Sequence, residues 1–399
     1  MKRNRSVLAA VLTGLLAVAL AACSGSAVSA SNSSSASASG GSLTVAFIND
    51  TSGELGPGFS PAIQGAEAAV EAFNAAGGAH GKKVTLKLFD TTSSASGAET
   101  AVRAAIASDP IAIVPVSEMI DGTIPLMAAS KIPVIGWGIT PSWYTGVCPN
   151  CYSWTGNIVG ANTTAWVGLM VDHGYKKLAM VVDTLPGSVQ GAKVWKKMFP
   201  VVGAKLVLDD EGVNMADSAE ISQVAQAIIN SGAQGVLVNA SSGGPQIQAA
   251  LNQDGAHIPA LNVVAYGPQV AQQFGSSANG LIFASFPATL QYTSDPGLKQ
   301  YLATMQKYGK NPNGFAEQGY ISMKFALDNL KAASAPTHAA LLKQMSHLSG
   351  YTMDGLICPV RFPAFQEAAG TLCLSASQLE NGTWVKFGSQ TFYKGEQIK

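Results

Sequence analysis

The sequence predicts an α/β fold made of two successive halves, each with a mainly parallel sheet. From residue 43 onward, short β-branched runs alternate with alanine-rich segments of helical periodicity. This pattern is typical of parallel strands that are covered by helices on both faces. The alternation stops in an irregular stretch at 139–157 and then restarts. A chain of 399 residues is also long for one domain and comfortable for two.

The first half begins with an apolar run, "LTVAFIND", which predicts a strand at 43–50. A helix is predicted at 60–76 because apolar side chains recur on one face and Gly77 and Gly78 follow as stop signals. The further elements predicted for this half are a strand at 84–90, a helix near 97–107, a strand at 111–116, a helix near 122–130 and a strand at 132–138.

The second half repeats this rhythm, and a more helical C-terminal part follows it. The predicted elements are helix 160–173, strand 177–183, helix 187–199, strand 204–211, helix 218–231, strand 235–240, helix 245–254, strands 260–267 and 280–287, then helices near 295–308, 315–332 and 338–347, with short strands around a Cys358–Cys373 loop. In open sheets of this kind ligands bind outside the carboxyl ends of the strands. We therefore expect the functional site there.

The N-terminus has the features of an export signal. Lys2, Arg3 and Arg5 precede an uncharged apolar run at 7–20, which is too short for a confident membrane span. The following "LAAC" resembles a bacterial lipobox, which implies cleavage before Cys23 and lipidation of its sulfur. The alternative is an ordinary signal peptide with a chance cysteine. Either way, we expect an extracytoplasmic protein.

A tether and a mildly acidic domain follow the predicted signal peptide at 1–22. Residues 23–42 comprise the lipidated cysteine and a run of serine, alanine and glycine, which behaves as a flexible coil. Removing 1–22 takes away three of the 24 basic residues and none of the 24 acidic ones, which leaves a formal net charge of −3. Without a basic patch, nucleic acid is excluded as a partner, and the membrane is contacted through the lipid anchor only.

Four cysteines remain after Cys23, and an exported protein is expected to pair them in two disulfides. Proximity along the chain favours Cys148–Cys151 and Cys358–Cys373, although three connectivities are possible. The spacing of Cys148 and Cys151 is also that of a redox motif. Because this pair lies in an irregular stretch rather than at a helix start, we interpret it as structural.

Catalytic motifs are absent from the sequence. It contains no G-x-S-x-G, no H-E-x-x-H, no phosphate-binding loop and no dinucleotide fingerprint after a strand. The five histidines are scattered rather than spaced as metal ligands, and Asp183, Asp209 and Asp210 end strands, where turn duty is common. We therefore expect a binding protein that is not an enzyme and that holds no metal or cofactor.

Several segments, in this order, resemble the type I periplasmic binding proteins of ABC transporters, nearest to the leucine/isoleucine/valine-binding branch. They are "VAFINDTSGELGPGFSPAIQGAEAAVEAFNAAGGAHGKKVTLKLFDTTS", "AIASDPIAIVPVSEMIDGTIPLMAASKIPVIGWGITPS", "KLAMVVDTLPGSVQGAKVW", "GVLVNASSGGPQIQAALNQDG" and "GFAEQGYISMKFALDNL". Each motif alone is loose, but their order is specific and covers nearly all of the chain after the tether.

The resemblance implies two Rossmann-like lobes that are joined by three crossings and close on a small solute by a hinge motion. The crossings are expected near residues 157, 288 and 350. The implied domains are lobe 1 at 43–157 plus 288–350 and lobe 2 at 158–287 plus 351–399. The family further implies delivery of the solute to permease subunits by a monomeric protein. A sensing accessory protein of the same fold is one alternative, and a secreted α/β enzyme is another.

In the first lobe, relatives that bind amino acids hold the ligand carboxylate just after the third strand. Ser117 is the nearest hydroxyl match there, but Glu118 stands beside it and would repel a carboxylate. We interpret Asp121 as the cap of the next helix. After the fourth strand, Gly138 and Thr140 match a turn that touches the ligand in the family, and Trp137 could lie over a ligand or pack in the core.

In the second lobe, Asp183 begins a family motif in which proline replaces the expected tyrosine. The acid that binds the ligand ammonium group in amino-acid binders is missing at 264–266. We therefore hypothesise a neutral or cationic, partly apolar ligand rather than a zwitterionic amino acid. Besides the first-lobe residues, the ligand-binding candidates are Phe59, Asp183, Asn239, Tyr266 and Phe286.

Overall fold

The computed structural model describes residues 41–143, 146–155, 163–312, 314–362, 373–396 and 398; the predicted signal peptide and Cys23 lie outside this part. Its strands are β1 Leu43–Asn49, β2 Val84–Asp90, β3 Ala112–Val116, β4 Val134–Gly136, β5 Cys151–Ser153, β6 Lys177–Val182, β7 Lys205–Glu211, β8 Gly235–Asn239, β9 Ala260–Asn262, β10 Ile282–Ser285, β11 Ser349–Tyr351, β12 Val360–Arg361, β13 Cys373–Glu380, β14 Thr383–Lys386 and β15 Tyr393–Lys394.

The α-helices are α1 Gly56–Phe59, α2 Ala62–Ala75, α3 Ala95–Ala107, α4 Ile124–Ser130, α5 Ala165–Asp172, α6 Pro186–Val201, α7 Ser218–Asn230, α8 Gly244–Gln253, α9 Pro268–Phe274, α10 Pro296–Lys307, α11 Gly314–Ala332 and α12 His338–Ser346. Single 3₁₀ turns lie at Asp121–Thr123, Pro141–Trp143 and Gly275–Ala278.

Two sheets form in succession along the chain. The first has the order β2-β1-β3-β4-β5, and its pairs are parallel. The second has the order β14-β13-β10-β9-β8-β6-β7; β6 to β10 run parallel, and β13 to β15 are antiparallel additions. The order β7-β6-β8-β9-β10 repeats the order of the first sheet. The prediction of a mainly parallel, two-lobed α/β fold is confirmed.

Alternating burial along the strands places helices on both faces of the first sheet. Phe47 packs in the core shared with α2 and α11, whereas Ile48 packs on the opposite face with α3 and α4. The contact between α2 and α11 is close because glycines stand in it. A Cβ added at Gly65 would collide with the backbone of Ala316, so this helix pair depends on glycine.

The last third of the chain contributes to both halves. Helix α11 packs on α2, β3 and β4, and β13 pairs with β10 of the second sheet. The last third of the chain thus packs against elements of both halves. The predicted crossing near residue 157 lies outside the described residues, and the lobe boundaries remain predictions.

The structure corrects one predicted strand and adds elements that the pattern did not indicate. The strand expected at 260–267 ends at Asn262, because the Asn262 side chain accepts the N–H groups of Val264 and Ala265 and turns the chain. Helix α9 then follows. A short strand, β5, lies within the stretch that was expected to be irregular.

The two disulfides agree with the pairing that the sequence favoured. Cys148 is bonded to Cys151 and Cys358 to Cys373, so the connectivity favoured by proximity is confirmed. Within the described ranges, no helix combines the length and the apolar character needed to cross a bilayer.

Candidate functional site

The junction after β3 is organised around the carboxylate of Asp50, which directly follows β1. This side chain is fully buried. It accepts hydrogen bonds from Ser117 Oγ at 2.6 Å, from the Glu118 N–H at 2.9 Å and from Thr91 Oγ1. Ser117 Oγ in turn accepts the Met119 N–H at 3.0 Å. The donors that the sequence assigned to a ligand carboxylate are thus engaged by a carboxylate of the protein itself.

Two further acids surround this junction. The Glu118 side chain is accessible to solvent, yet protein encloses it so deeply that lost hydration, with the charges of Asp50 and Asp121, raises its pKa to about 7. The pKa of Asp121 is also raised by desolvation, an effect opposed by hydrogen bonds from Thr140 and Ser142.

Asp121 does not cap the following helix, so that interpretation is wrong. It lies inside the 3₁₀ turn rather than ahead of it, and neither this turn nor α4 has a side-chain cap. Asp121 instead accepts a hydrogen bond from Thr140 Oγ1 at 2.7 Å, and the Thr140 hydroxyl also lies 2.7 Å from Ser142 Oγ. Thr140 therefore ties the loop after β4 to the junction after β3.

An aromatic cluster of Phe59, Trp137 and Phe315 lies beside these loops. The ring centroids of Phe59 and Phe315 are 4.1 Å apart, and Trp137 meets both rings edge-on at 5.9 and 6.0 Å. Phe59 is buried, whereas Trp137 and Phe315 are part-exposed. Sequence reasoning missed Phe315, since it stands far along the chain at the start of α11.

Gly138 shapes the loop after β4 rather than presenting a side chain to it. Its N–H donates to Ser153 Oγ at 3.0 Å, and its carbonyl accepts the hydroxyls of Ser153 and Thr155, each at 2.8 Å. A Cβ at this position would enter the ring of Trp143. Glycine is therefore required by close packing, which is consistent with the turn that the sequence indicated.

The second sheet contains an equivalent of the Asp50 arrangement. Asp183 directly follows β6 and accepts hydrogen bonds from the N–H and the hydroxyl of Ser241, at 2.9 and 3.1 Å, in the junction after β8. Its other oxygen accepts the Leu185 N–H at 3.0 Å. Nearby, Asn239 donates to the Ser188 carbonyl at 2.9 Å. These candidate residues are held by the chain itself.

Tyr266 and Phe286 lie farther along the second sheet. Tyr266 stacks on Phe283, donates its hydroxyl to Gln291 Oε1 at 2.6 Å and accepts the Leu290 N–H at 2.9 Å. Burial raises its pKa well above the usual range. It lines an open recess of about 450 Å³ with Leu290, Gln291 and Trp384. Phe286 packs in the core, edge-on to Trp166, 5.6 Å away.

A buried carboxyl that sequence reasoning missed stands at the start of α11. Glu317 is 4% exposed, and its Oε1 has no hydrogen-bond partner within the described part of the chain. Burial raises its pKa well above the usual range. Glu317 also contributes to the raised pKa of both Tyr266 and Tyr301.

The acids of this region are not paired with basic side chains. Among the described residues, ion pairs involve only Glu67, Glu71, Glu99, Asp209, Glu211 and Asp328. Asp50, Glu118, Asp121, Asp183 and Glu317 take part in none of them. The described ranges also contain no group of three or more His, Cys, Asp or Glu side chains that could hold a metal ion. No basic side chain of the described residues is therefore paired with these acids.

Comparison with known proteins gives a consistent picture. Residues 42–382 match the family model described as "Periplasmic binding protein". The fold is similar to an extracellular ligand-binding receptor from Verminephrobacter eiseniae, with 21% identity, 86% of this chain and 99% of that chain covered, and a TM-score of 0.71.

Two other solved structures are similar at lower identity. The leucine-binding protein LivK from Thermotoga maritima is 17% identical, with coverage of 87% of this chain and 98% of that chain and a TM-score of 0.71. The R. palustris solute-binding protein in complex with benzoate is 18% identical, with coverage of 87% and 96% and a TM-score of 0.69. Among curated proteins, a sequence search finds no match.

Proposed function

The chain belongs to the periplasmic binding protein family, and from this premise we propose that it is a lipoprotein that captures a small solute between its lobes and delivers it to an ABC importer. The export signal, the lipobox-like "LAAC" and the Ser/Ala/Gly tether support a domain that is anchored at Cys23 outside the cytoplasm. The family consists of binding proteins, which supports capture without chemistry. Hinge closure then presents the loaded form to permease subunits.

The solute of this proposal is not a zwitterionic amino acid. The observation that carries this is the carboxylate of Asp50, which accepts Ser117 Oγ at 2.6 Å and the Glu118 N–H at 2.9 Å. LivK is named for leucine, and the R. palustris protein is in complex with benzoate; both ligands bear a carboxylate. A ligand carboxylate at this junction would have to displace Asp50 and approach Glu118, which like-charge repulsion opposes.

Calorimetry on the purified full chain tests the ligand statement. Titration with the standard amino acids is expected to show no binding tighter than millimolar, whereas native mass spectrometry is expected to reveal a retained solute that is not an amino acid. Tight leucine or valine binding that is lost on Thr140→Ala would contradict the proposal. Asp217→Asn, which changes the cap of the distant helix α7, is the matched control.

Fractionation tests the anchor separately. Cys23→Ala is expected to release the protein from the membrane fraction into the soluble extracytoplasmic fraction, because lipidation needs the sulfur. A variant that stays with the membrane would contradict lipidation at Cys23. Substitution of a serine of the tether, such as Ser26→Ala, should change nothing.

A further inference from the structure

The same carboxylate arrangement occurs at the equivalent junction of each sheet. Asp50 follows β1 and receives donors from the loop after β3, and Asp183 follows β6 and receives donors from the loop after β8. In each sheet the two strands concerned are neighbours. At both junctions, an aspartate of the chain itself therefore occupies the donors that could otherwise bind a ligand anion.

Resting on the proposed function, we infer that the solute is an organic cation without a carboxylate, such as a primary or quaternary amine on an apolar body, and that Asp50 is the residue that excludes carboxylate ligands.

The aromatic cluster fits the body and the charge of such a molecule. Trp137 and Phe315 have part-exposed rings. The buried Phe59 packs against them, and its ring centroid lies 4.1 Å from that of Phe315. A cation over the face of such rings gains about 0.5–2 kcal/mol, most when water is excluded. Glu118 and Asp121 lie in the neighbouring loop after β3, which Thr140 ties to the loop that carries Trp137.

A separate observation points to the same ligand class. Glu317 follows Phe315 by two residues, is 4% exposed, and has a carboxyl oxygen without a partner among the described residues. An unpaired buried carboxyl is costly, and a donor from outside the chain would remove this cost. No Lys or Arg of the described residues forms an ion pair with Glu317, Glu118 or Asp121. An ammonium group that reached Glu317 would supply this missing donor.

The first experiment is a matched binding series on the full chain. The probes are 3-methylbutylamine, leucine, 4-methylpentanoate and 3-methylbutanol, and then phenethylamine with phenylalanine, so that each amine has a partner that differs by a carboxylate or a charge. We expect each amine to bind at least tenfold more tightly than its partners. Asp50→Ser removes the carboxylate and keeps a hydroxyl. It should reduce the ratio of the affinity for the amine to the affinity for the amino acid at least tenfold.

Asp50→Asn preserves the shape at this buried position, and it serves if Asp50→Ser fails to fold. Loss of the negative charge alone should reduce the same ratio of affinities several-fold. Ser241→Ala, at the equivalent junction of the second sheet, is the control that alters donors without opening the first junction. A ratio that is unchanged in a folded Asp50 variant overturns the role of Asp50.

The second experiment is the pH dependence of amine binding, which does not depend on Asp50 variants. Two other acids act on Glu118: Asp50, which follows β1, and Asp121, which lies in the same loop as Glu118. The pKa of Glu118 is raised to about 7. A cation favours the ionised carboxylate, so affinity for the amine should rise with pH, by about tenfold between pH 6 and pH 8. Glu118→Gln should remove this rise.

The outcomes separate the two proposals. Leucine or 4-methylpentanoate binding as tightly as the amine overturns the cation assignment and leaves solute binding intact. Binding of amides or sugars but of no amine does the same. A protein that retains no solute in native mass spectrometry and binds no probe of any class contradicts the proposed function itself.

Discussion

The junction after β3 and the junction after β8 are built alike but differ in their surroundings. In each, an Asp at the end of the neighbouring strand accepts a Ser hydroxyl and a main-chain N–H. Asp50 is fully buried, and its charge and that of Asp121 help to raise the pKa of Glu118, whereas Asp183 is 5% exposed. The first junction therefore brings three carboxyl groups into interaction.

This difference teaches that one strand–loop arrangement serves two purposes. Around Asp183 the hydrogen bonds close a turn and satisfy buried backbone groups. Around Asp50 the same bonds also hold a carboxylate whose charge acts on Glu118. Five substitutions break or sharpen this comparison.

The largest expected effect is that of Asp50→Ala. It leaves the buried donors of Thr91, Ser117 and Glu118 without their acceptor, which should lower the free energy of unfolding by about 3 kcal/mol. Asp183→Ala should cost about 1–2 kcal/mol, because its part-buried donors can reach water. Urea unfolding at pH 5.5, where Glu118 is protonated, measures both. Equal losses would show that the junctions are equivalent.

Tyr266→Phe tests the contribution of two hydrogen bonds of the Tyr266 hydroxyl beside the second sheet. The variant loses the hydroxyl that bridges Gln291 and the Leu290 N–H, so the free energy of unfolding should fall by about 1–2 kcal/mol. Tyr175→Phe is the control, since the described residues give its hydroxyl no hydrogen bond; its effect should stay within about 0.5 kcal/mol. A loss that is equal in both variants would refute this account.

Glu118→Gln should stabilise the protein at high pH. The pKa of Glu118 in the folded protein, about 7, lies above its ordinary value, so the folded state holds a proton that the unfolded state releases. The stability linked to this proton is present at low pH and is lost as pH rises through about 7. Because the side chain remains accessible, we expect a gain of only about 1 kcal/mol for the variant at pH 8 and none at pH 4.

Thermal unfolding across pH 4–8 measures the effect of Glu118→Gln. Glu99→Gln, which removes an exposed ion pair with Arg103, is the control, and at pH 8 it should give a small loss of stability rather than a gain. A Glu118→Gln profile parallel to that of the wild type would contradict the raised pKa.

The smallest expected effect is that of Thr140→Val. It removes the 2.7 Å hydrogen bond to Asp121 at an exposed site, for a loss of about 0.5 kcal/mol. Because this bond lowers the pKa of Asp121, the pKa should rise further, and NMR titration of the carboxyl would detect this. Thr140→Ser, which keeps the hydroxyl, should restore both properties. An unchanged pKa in Thr140→Val would rule out the bond in solution.

Much of the fold could be predicted, because strand and helix periodicity is local. The strands near Leu43, Lys177 and Gly235 and the helices between them lie within a few residues of their predicted positions. The strand expected through 260–267 failed because a side-chain turn at Asn262 replaces the ladder, and no periodic signal marks such a turn. The short strand β5 depends on a partner strand rather than on its own sequence.

The candidate site could be predicted only in part. Ser117, Glu118, Trp137 and Thr140 were placed at strand ends by the pattern. Asp50 was missed as their partner, since the parallel pairing of Asn49 with Val116 joins segments more than sixty residues apart. Phe315 joins Trp137 and Phe59 from a helix that the chain adds only after completing both runs of parallel strands.

By itself, the sequence determined the α/β class, the residues that end each strand and the absence of recognisable catalytic motifs, because these properties are carried by short stretches of chain. Only the tertiary structure decided which groups form hydrogen bonds with one another. Asp50 accepts a hydrogen bond from Ser117, and Asp121 accepts one from Thr140 instead of capping a helix. Glu317 is buried, and its Oε1 has no partner among the described residues. The physical reason is that hydrogen bonding and burial depend on strand register and helix packing, which join distant segments.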